Sequence, residues 1–101
     1  MFGFGKKKLD DRTAGMVSIE IAMFMRWMET KHRKVLQPTQ VKYIVKRVLE
    51  RENLNCNENI CSDVTTLAMS KNFDRIDELR KKSKFDENID DFCKSIGIST
   101  P

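Results

Sequence analysis

Apolar residues recur at intervals of three and four positions along most of this chain, and the longest such stretch runs from Leu9 to His32. That spacing places apolar side chains on one side of an α-helix, whereas a half-buried β-strand alternates apolar and polar residues. The sequence has no convincing alternating run, and its four Gly and two Pro are too few for the turns of a sandwich or barrel. We therefore expect an all-α fold, a compact bundle of about four to five helices around a long central N-terminal helix.

The length of the chain bounds its domain organisation. With 101 residues it has room for one hydrophobic core, and an apolar content of 40% is too high for a disordered protein. Residues 1–8 contain two Phe separated by Gly and then three Lys, which predicts a flexible basic arm. The expected organisation is an arm over residues 1–8 and a single all-helical domain over residues 9–101.

The first helix carries two apolar faces when its residues are placed about 100° apart. The expected core face consists of Ala14, Val17, Ile21, Phe24, Met25 and Met28. A second face, called the Met/Trp face below, consists of Met16, Ile19, Met23 and Trp27. Later helices could cover this second face, or it could remain open to a partner. Because Met adapts to varied partners and Trp is enriched at binding hot spots, we predict that the Met/Trp face binds a partner.

Four further helices are expected after the first. The second starts at Pro38, runs to about Glu52 and turns an apolar face inward that comprises Val41, Ile44, Val45, Val48 and Leu49. Four Asn between residues 53 and 59 predict a surface loop. Ser62 or Asp63 is then expected to cap a third helix whose inward residues are Val64, Leu67 and Ala68. A fourth helix is expected to run to about Ser83 with Phe73, Ile76 and Leu79 inward, and Asp86 is expected to cap a fifth.

The last of these segments resembles a known DNA-binding unit. Its residues Phe92, Cys93, Ile96, Gly97 and Ile98 are similar to the first helix and turn of a helix-turn-helix. The same residues fit a helix that ends at a left-handed Gly97, with Ile98 making the accompanying apolar contact. No recognition helix follows in the sequence, so we expect the plain helix end.

Positive charge is concentrated in one part of the chain. Residues 31–51 contain seven Lys or Arg and one Glu, whereas residues 85–101 contain four acidic residues and one Lys. We call the first group the basic face: Lys31, Arg33, Lys34, Lys42, Lys46, Arg47 and Arg51. Solvent-exposed helix faces carry Lys and Arg routinely, so this can be an ordinary exposed face. The functional alternatives are a face that steers an acidic protein toward its binding site and one that contacts the phosphates of a nucleic acid.

No residue pattern indicates catalysis, a cofactor or a metal ion. Cys56 and Cys61 form one loosely spaced pair, Cys93 lies on an expected core face, and His32 is the only His. Structural zinc sites usually present tightly spaced ligands in at least two places, and nothing near these residues resembles a nucleophile turn. We therefore expect no enzyme activity and no catalytic, cofactor-binding or metal-binding residues.

The cysteine content and the N-terminus predict a cytoplasmic location. Three Cys are too few for a disulfide scaffold, and no apolar segment of a secretory signal follows the first basic residues. No run of apolar residues approaches the length of a membrane span. Two Phe and three Lys at the N-terminus offer only marginal lipid affinity, so we expect no stable membrane association.

The sequence therefore predicts a small, non-catalytic regulatory protein of the cytoplasm. We expect it to bind another protein, or a second copy of itself, through the Met/Trp face and to attract an acidic partner through the basic face. The alternative is a nucleic-acid-binding regulator that contacts phosphates through the basic residues of 31–51.

Overall fold

The computed structural model describes residues 7–101, which form five α-helices and one short 3-10 helix. The helices are α1 (Asp11–His32), α2 (Pro38–Arg51), α3 (Glu58–Met69), α4 (Phe73–Ser83) and α5 (Ile89–Ser95), and the 3-10 helix spans Asp86–Asn88. No strand occurs in this described range. The expected all-α bundle with a long N-terminal helix is thus confirmed.

Helix α1 lies at the centre of the bundle and contacts α2, α3 and α4. Asp10 caps it by accepting a hydrogen bond from the Thr13 amide at 2.7 Å, which satisfies one of the free N–H groups of the first turn. Val17, Ile21 and Phe24 are buried on its core face, as expected. The radius of gyration is 13.4 Å, close to the ~13 Å of a folded chain of about this length.

Helix α2 has the apolar face that the sequence predicts. Pro38 lies in its first turn, where a missing N–H costs nothing, and Gln37 and Gln40 form a reciprocal capping box. All five predicted inward residues are buried, namely Val41, Ile44, Val45, Val48 and Leu49. This face supplies a large part of the core that encloses α1.

The cap of helix α3 lies five residues before Ser62, the first of the two caps that the sequence predicted. The side chain of Asn57 accepts a hydrogen bond from the Ile60 amide at 2.9 Å, so Asn57 rather than Ser62 or Asp63 is the cap. The expected inward position of Leu67 is wrong, because its side chain is 40% exposed. The early start also places Cys61 inside the helix.

Helix α4 buries less of its apolar face than expected. Ile76 is buried and Leu79 is half-buried, but Phe73 is 55% exposed. Phe73 is the first residue of α4, and its ring lies under the Arg26 guanidinium instead of in the core.

Helix α5 ends as the sequence predicts. Gly97 has φ +74°, and its N–H donates to the Lys94 carbonyl at 3.1 Å. The Ile98 N–H donates to the Cys93 carbonyl at 2.9 Å. This pair of hydrogen bonds is the Schellman motif, so the plain helix end is confirmed.

The predicted arm lies mostly outside the described residues, which begin at Lys7. Lys7 pairs with the segment after α2: its N–H donates to the Asn53 carbonyl at 3.0 Å, and its carbonyl accepts from the Asn55 amide at 2.8 Å. Lys7 is therefore held by the fold and does not belong to a free arm.

Candidate functional site

The Met/Trp face is mostly covered by the protein itself. Trp27 is 7% exposed, with its ring centroid 6.0 Å from that of Phe24 and 4.7 Å from that of His32. Ile19 and Met23 are half-buried, and only Met16 is open, at 63% exposure; the hydroxyl oxygen of Ser83 in α4 lies 3.7 Å from the Met23 sulfur. The expectation that this face stays uncovered is thus wrong at Trp27, whose ring is buried and packs beside Phe24 and His32 of the same helix.

Three residues of the basic face make contacts between separate helices or helix ends. Arg47 donates to the Ile96 carbonyl at 2.8 Å, and Arg51 pairs with Glu20 at 2.6 Å. Lys42 forms an ion pair with Glu58. These contacts join α2 to the end of α5, to α1 and to α3, so this part of the face is not freely available to a partner.

The other four residues of the basic face remain accessible. Lys31, Arg33, Lys34 and Lys46 are exposed, and none makes an ion pair within residues 7–101. Lys31 lies in the last turn of α1, and the next two lie in the connection to α2. Three of the four accessible charges of the basic face therefore lie at or beside the α1–α2 connection.

An ion-pair network joins α1 to α4, and its carboxylates are those of Asp77 and Asp86. Arg80 is 8% exposed and donates to Asp86 at 2.7 Å, to Asp77 at 2.9 Å and to the Thr30 hydroxyl at 3.1 Å. Arg26 donates to Asp77 at 2.8 Å, and these hydrogen bonds hold the pKa of the Asp77 carboxyl below its usual value, against the effect of burial. Both carboxylates thus serve as ion-pair partners of Arg80.

Beside this network lies an open cleft of about 540 Å³. Lys31, Lys81 and Lys84 line it together with Glu87, and none of the three ammonium groups has an ion-pair partner in the described part of the chain. We call it the lysine cleft. It extends the accessible positive charge of the α1–α2 connection onto the end of α4.

A second cleft, of about 140 Å³, is apolar and lies where α1, α3, α4 and the α1–α2 connection meet. We call it the apolar cleft and define it by Ala22, Met25, Val35, Met69, Phe73 and Ile76. Its rim is accessible, because Val35 is 63% exposed, Phe73 55% and Met69 40%. A cluster of exposed large apolar side chains around a depression is typical of a binding site.

One wall of the apolar cleft is held in place by charge. The Arg26 guanidinium lies 4.4 Å from the centroid of the Phe73 ring, within the range of a cation–π contact. Arg26 is itself held by Glu29 at 2.6 Å and by Asp77 at 2.8 Å. The Phe73 ring therefore packs against an arginine that ion pairs already orient.

Helical periodicity did not indicate the rim of the apolar cleft. Val35 belongs to a connection, Met69 is the last residue of α3 and Phe73 is the first residue of α4. Periodicity assigns a residue to a face only when it has helical neighbours on both sides. The available signal was weaker: one large apolar residue in the α1–α2 connection and two at helix ends.

The described residues include no helix that combines the length and the apolar content needed to cross a bilayer. Within the same range, no three His, Cys, Asp or Glu side chains come together as ligands for a metal ion. Comparison of the chain with protein-family models, with curated proteins and with solved structures found no match.

Proposed function

We propose that this chain is a small, non-catalytic interaction protein of the cytoplasm that binds an acidic segment of a partner protein in the apolar cleft. One observation carries the proposal. Six large apolar side chains are exposed in residues 7–101, and three of them, Val35, Met69 and Phe73, converge on this cleft. Apolar side chains scattered singly on a surface need no explanation, whereas a group around a depression does.

The size of the cleft suits one bulky apolar side chain. Its volume is about 140 Å³, and an apolar cavity of roughly 150 Å³ holds a benzene molecule. The occupant that fits is therefore a single aromatic or Leu anchor on a partner segment. The fixed position of Phe73 lowers the entropy cost of receiving such an anchor.

The charges around the cleft favour an acidic partner. Lys71 lines the cleft and Lys34 precedes Val35, and neither makes an ion pair within the described residues. Glu29 also lines it, but its carboxylate pairs with Arg26. Asp74 lies in the first turn of α4, where its charge complements the positive end of the helix dipole. The uncompensated charge at the rim is therefore positive.

Two synthetic amphipathic peptides test this proposal by fluorescence anisotropy. They share the same apolar residues, and their polar residues are Glu in one and Lys in the other. The Glu peptide should bind and the Lys peptide should not, and rising salt should weaken the binding. Val35→Ser and Phe73→Ser should each weaken binding of the Glu peptide by about tenfold, the usual loss for an anchor contact.

Met16→Ser is the matched control, because Met16 and Val35 are both 63% exposed but only Val35 lines the cleft. It should change the affinity by less than about twofold. A loss with Met16→Ser and none with Val35→Ser would move the site back to the Met/Trp face. Sedimentation of the chain alone tests whether the partner is a second copy of this protein. A dimer that Val35→Ser dissociates would show that it is.

The lysine cleft favours a second candidate, a regulator that contacts nucleic acid. Lys31, Lys81 and Lys84 line one depression, and Arg33 and Lys34 follow Lys31 in the chain. Several unpaired cations on one surface neutralise phosphates and release counterions. This candidate keeps the basic residues at the start of the 31–51 region and replaces the paired ones with Lys81 of α4 and with Lys84, which follows that helix.

Electrophoretic mobility of a random DNA duplex tests the second candidate. Micromolar protein should retard the duplex at low salt, and the retardation should disappear steeply as salt rises. The variant Lys81→Gln/Lys84→Gln should weaken retardation, whereas Val35→Ser should leave it unchanged. An unretarded duplex at low salt would reject nucleic-acid binding without affecting the peptide experiment.

A further inference from the structure

Two cysteine side chains meet at the start of α3. Cys56 lies in the connection before the helix and Cys61 lies in its first turns, and their sulfur atoms are 2.8 Å apart. The cap brings them together: Asn57 starts the helix, and the Cys61 N–H donates to the Asn57 carbonyl at 2.9 Å. The two thiols therefore face each other because of the local backbone.

This arrangement is close to that of a disulfide. A disulfide bond requires the two sulfurs to approach to about 2.05 Å, so a movement of less than about 1 Å would bring them into bonding distance. Cys56 is half-buried and reachable from solvent, whereas Cys61 is 4% exposed. Cys93, the third cysteine, is fully buried in the core.

We propose that Cys56 and Cys61 are a reversible modification site that forms an intramolecular disulfide by exchange with a low-molecular-weight disulfide. The proposal is independent of the apolar cleft, which shares no residue with this pair.

The exchange takes place in two steps. The Cys56 thiolate attacks one sulfur of the small disulfide, breaks its S–S bond and releases one small thiol; the proton lost by Cys56 ends on that thiol. The Cys61 sulfur then loses its proton and attacks the Cys56 sulfur, so that the second small thiol leaves with that proton. The protein pair is oxidised by two electrons and the small disulfide is reduced by two.

The surroundings determine which sulfur reacts first. Burial and the neighbouring Cys56 raise the pKa of the Cys61 thiol to about 11, although Lys42 and Lys46 act in the opposite direction. Cys61 is thus enclosed and protonated at neutral pH. Cys56 therefore reacts first with the small disulfide. Cys61 closes the ring once the Cys56 sulfur beside it is part of a mixed disulfide.

Ring closure would also restrain the N-terminal segment. Cys56 follows Asn55, whose amide donates to the Lys7 carbonyl at 2.8 Å. A ring between the two cysteines limits the motion of the connection and therefore of its pairing with Lys7. Hydrogen exchange of the Asn55 amide should be slower in the oxidised protein than in the reduced one.

The test is incubation of the full chain with oxidised glutathione, followed by intact mass and peptide mapping. The wild type should lose the mass of two hydrogen atoms and two of its three titratable thiols. Cleavage after Glu58, which lies between the two cysteines, should yield two fragments that remain joined until dithiothreitol is added.

Single variants identify the order of attack. Cys61→Ala should stop at one glutathione on Cys56, Cys56→Ser should remain unmodified, and Cys93→Ala should behave as the wild type. A wild type that keeps all its thiols, retains glutathione without closing the ring, or links either sulfur to Cys93 would overturn the proposal. Mapping of the wild type alone decides the matter if Cys61→Ala does not fold.

Discussion

Four arginine side chains connect helices in this protein instead of facing solvent. Arg26 and Arg80 link α1 to α4, and Arg47 and Arg51 link α2 to the end of α5 and to α1. The planar guanidinium offers five donors in a fixed arrangement, so one side chain can satisfy several acceptors at once. Positive charge counted in the sequence therefore overstates the charge that is available to a partner.

Acid should destabilise the protein through Asp77. The hydrogen bonds from Arg26 lower the pKa of the Asp77 carboxyl in the folded state. The stability that this carboxylate contributes is therefore present above about pH 4 and is lost as pH falls through the folded pKa. The unfolding free energy of the wild type should fall more steeply below about pH 4 than that of Asp77→Asn. Urea unfolding at a series of pH values measures both slopes.

Asp74→Asn is the control for this experiment, because Asp74 lies one turn earlier on α4 and makes no ion pair within residues 7–101. Its unfolding free energy should fall with pH as steeply as that of the wild type. Equal slopes for the wild type and Asp77→Asn would contradict the assigned role of the Arg26–Asp77 pair.

The ends of the helices decide much of the structure at the scale of elements. Asn57 starts α3 early and thereby brings Cys56 and Cys61 together. Gly97 ends α5 in a left-handed conformation at φ +74°, and the Ile96 carbonyl before it accepts the Arg47 hydrogen bond. Each end fixes where the following side chains point, which periodicity within a helix does not do.

Two glycine variants should change stability in opposite directions. Gly97→Ala should lower the unfolding free energy by at least about 1 kcal/mol, because φ is positive there and the new methyl group would collide with the Arg47 guanidinium. Gly15→Ala, inside α1 with no atom near the new methyl group, should raise it by about 0.5–1 kcal/mol. Urea unfolding followed by circular dichroism measures both, and a stabilising Gly97→Ala would reject the left-handed cap.

At the scale of the whole molecule, α1 is enclosed by the rest of the chain along most of its length. Helices α2, α3 and α4 all contact it, and Phe24 packs on Phe92 of α5 at a ring-centroid distance of 5.2 Å. Trp27 belongs to this enclosed surface. Of the six large apolar side chains that are exposed in residues 7–101, three lie together around the apolar cleft, namely Val35, Met69 and Phe73.

Trp27→Ala should therefore destabilise the fold, whatever it does to binding. Removing a buried Trp side chain leaves a cavity, and the unfolding free energy should fall by about 3–5 kcal/mol. Met16→Ala, at an exposed position of the same helix, should change it by no more than about 0.5 kcal/mol. Denaturant unfolding compares the two variants, and equal unfolding free energies would show that Trp27 is not enclosed. As a second measurement, acrylamide should quench the wild-type Trp27 fluorescence only weakly.

The sequence by itself determined the number and the approximate positions of the α-helices of this protein. The spacing of Ile21 and Phe24 and the apolar face of α2 specify helices and their buried sides, and Gly97 with Ile98 specifies a helix end. These features depend on neighbours within one helical turn, so local sequence contains the information.

Only the tertiary structure decided which apolar and charged side chains remain accessible. Trp27 and Phe73 are both large aromatic residues near the ends of helices, yet the first is enclosed and the second is open. Arg51 and Lys34 both belong to the basic face, yet within residues 7–101 only the first pairs with a carboxylate. Exposure depends on which distant segment packs against a side chain, and the spacing of residues along one helix contains no information about that.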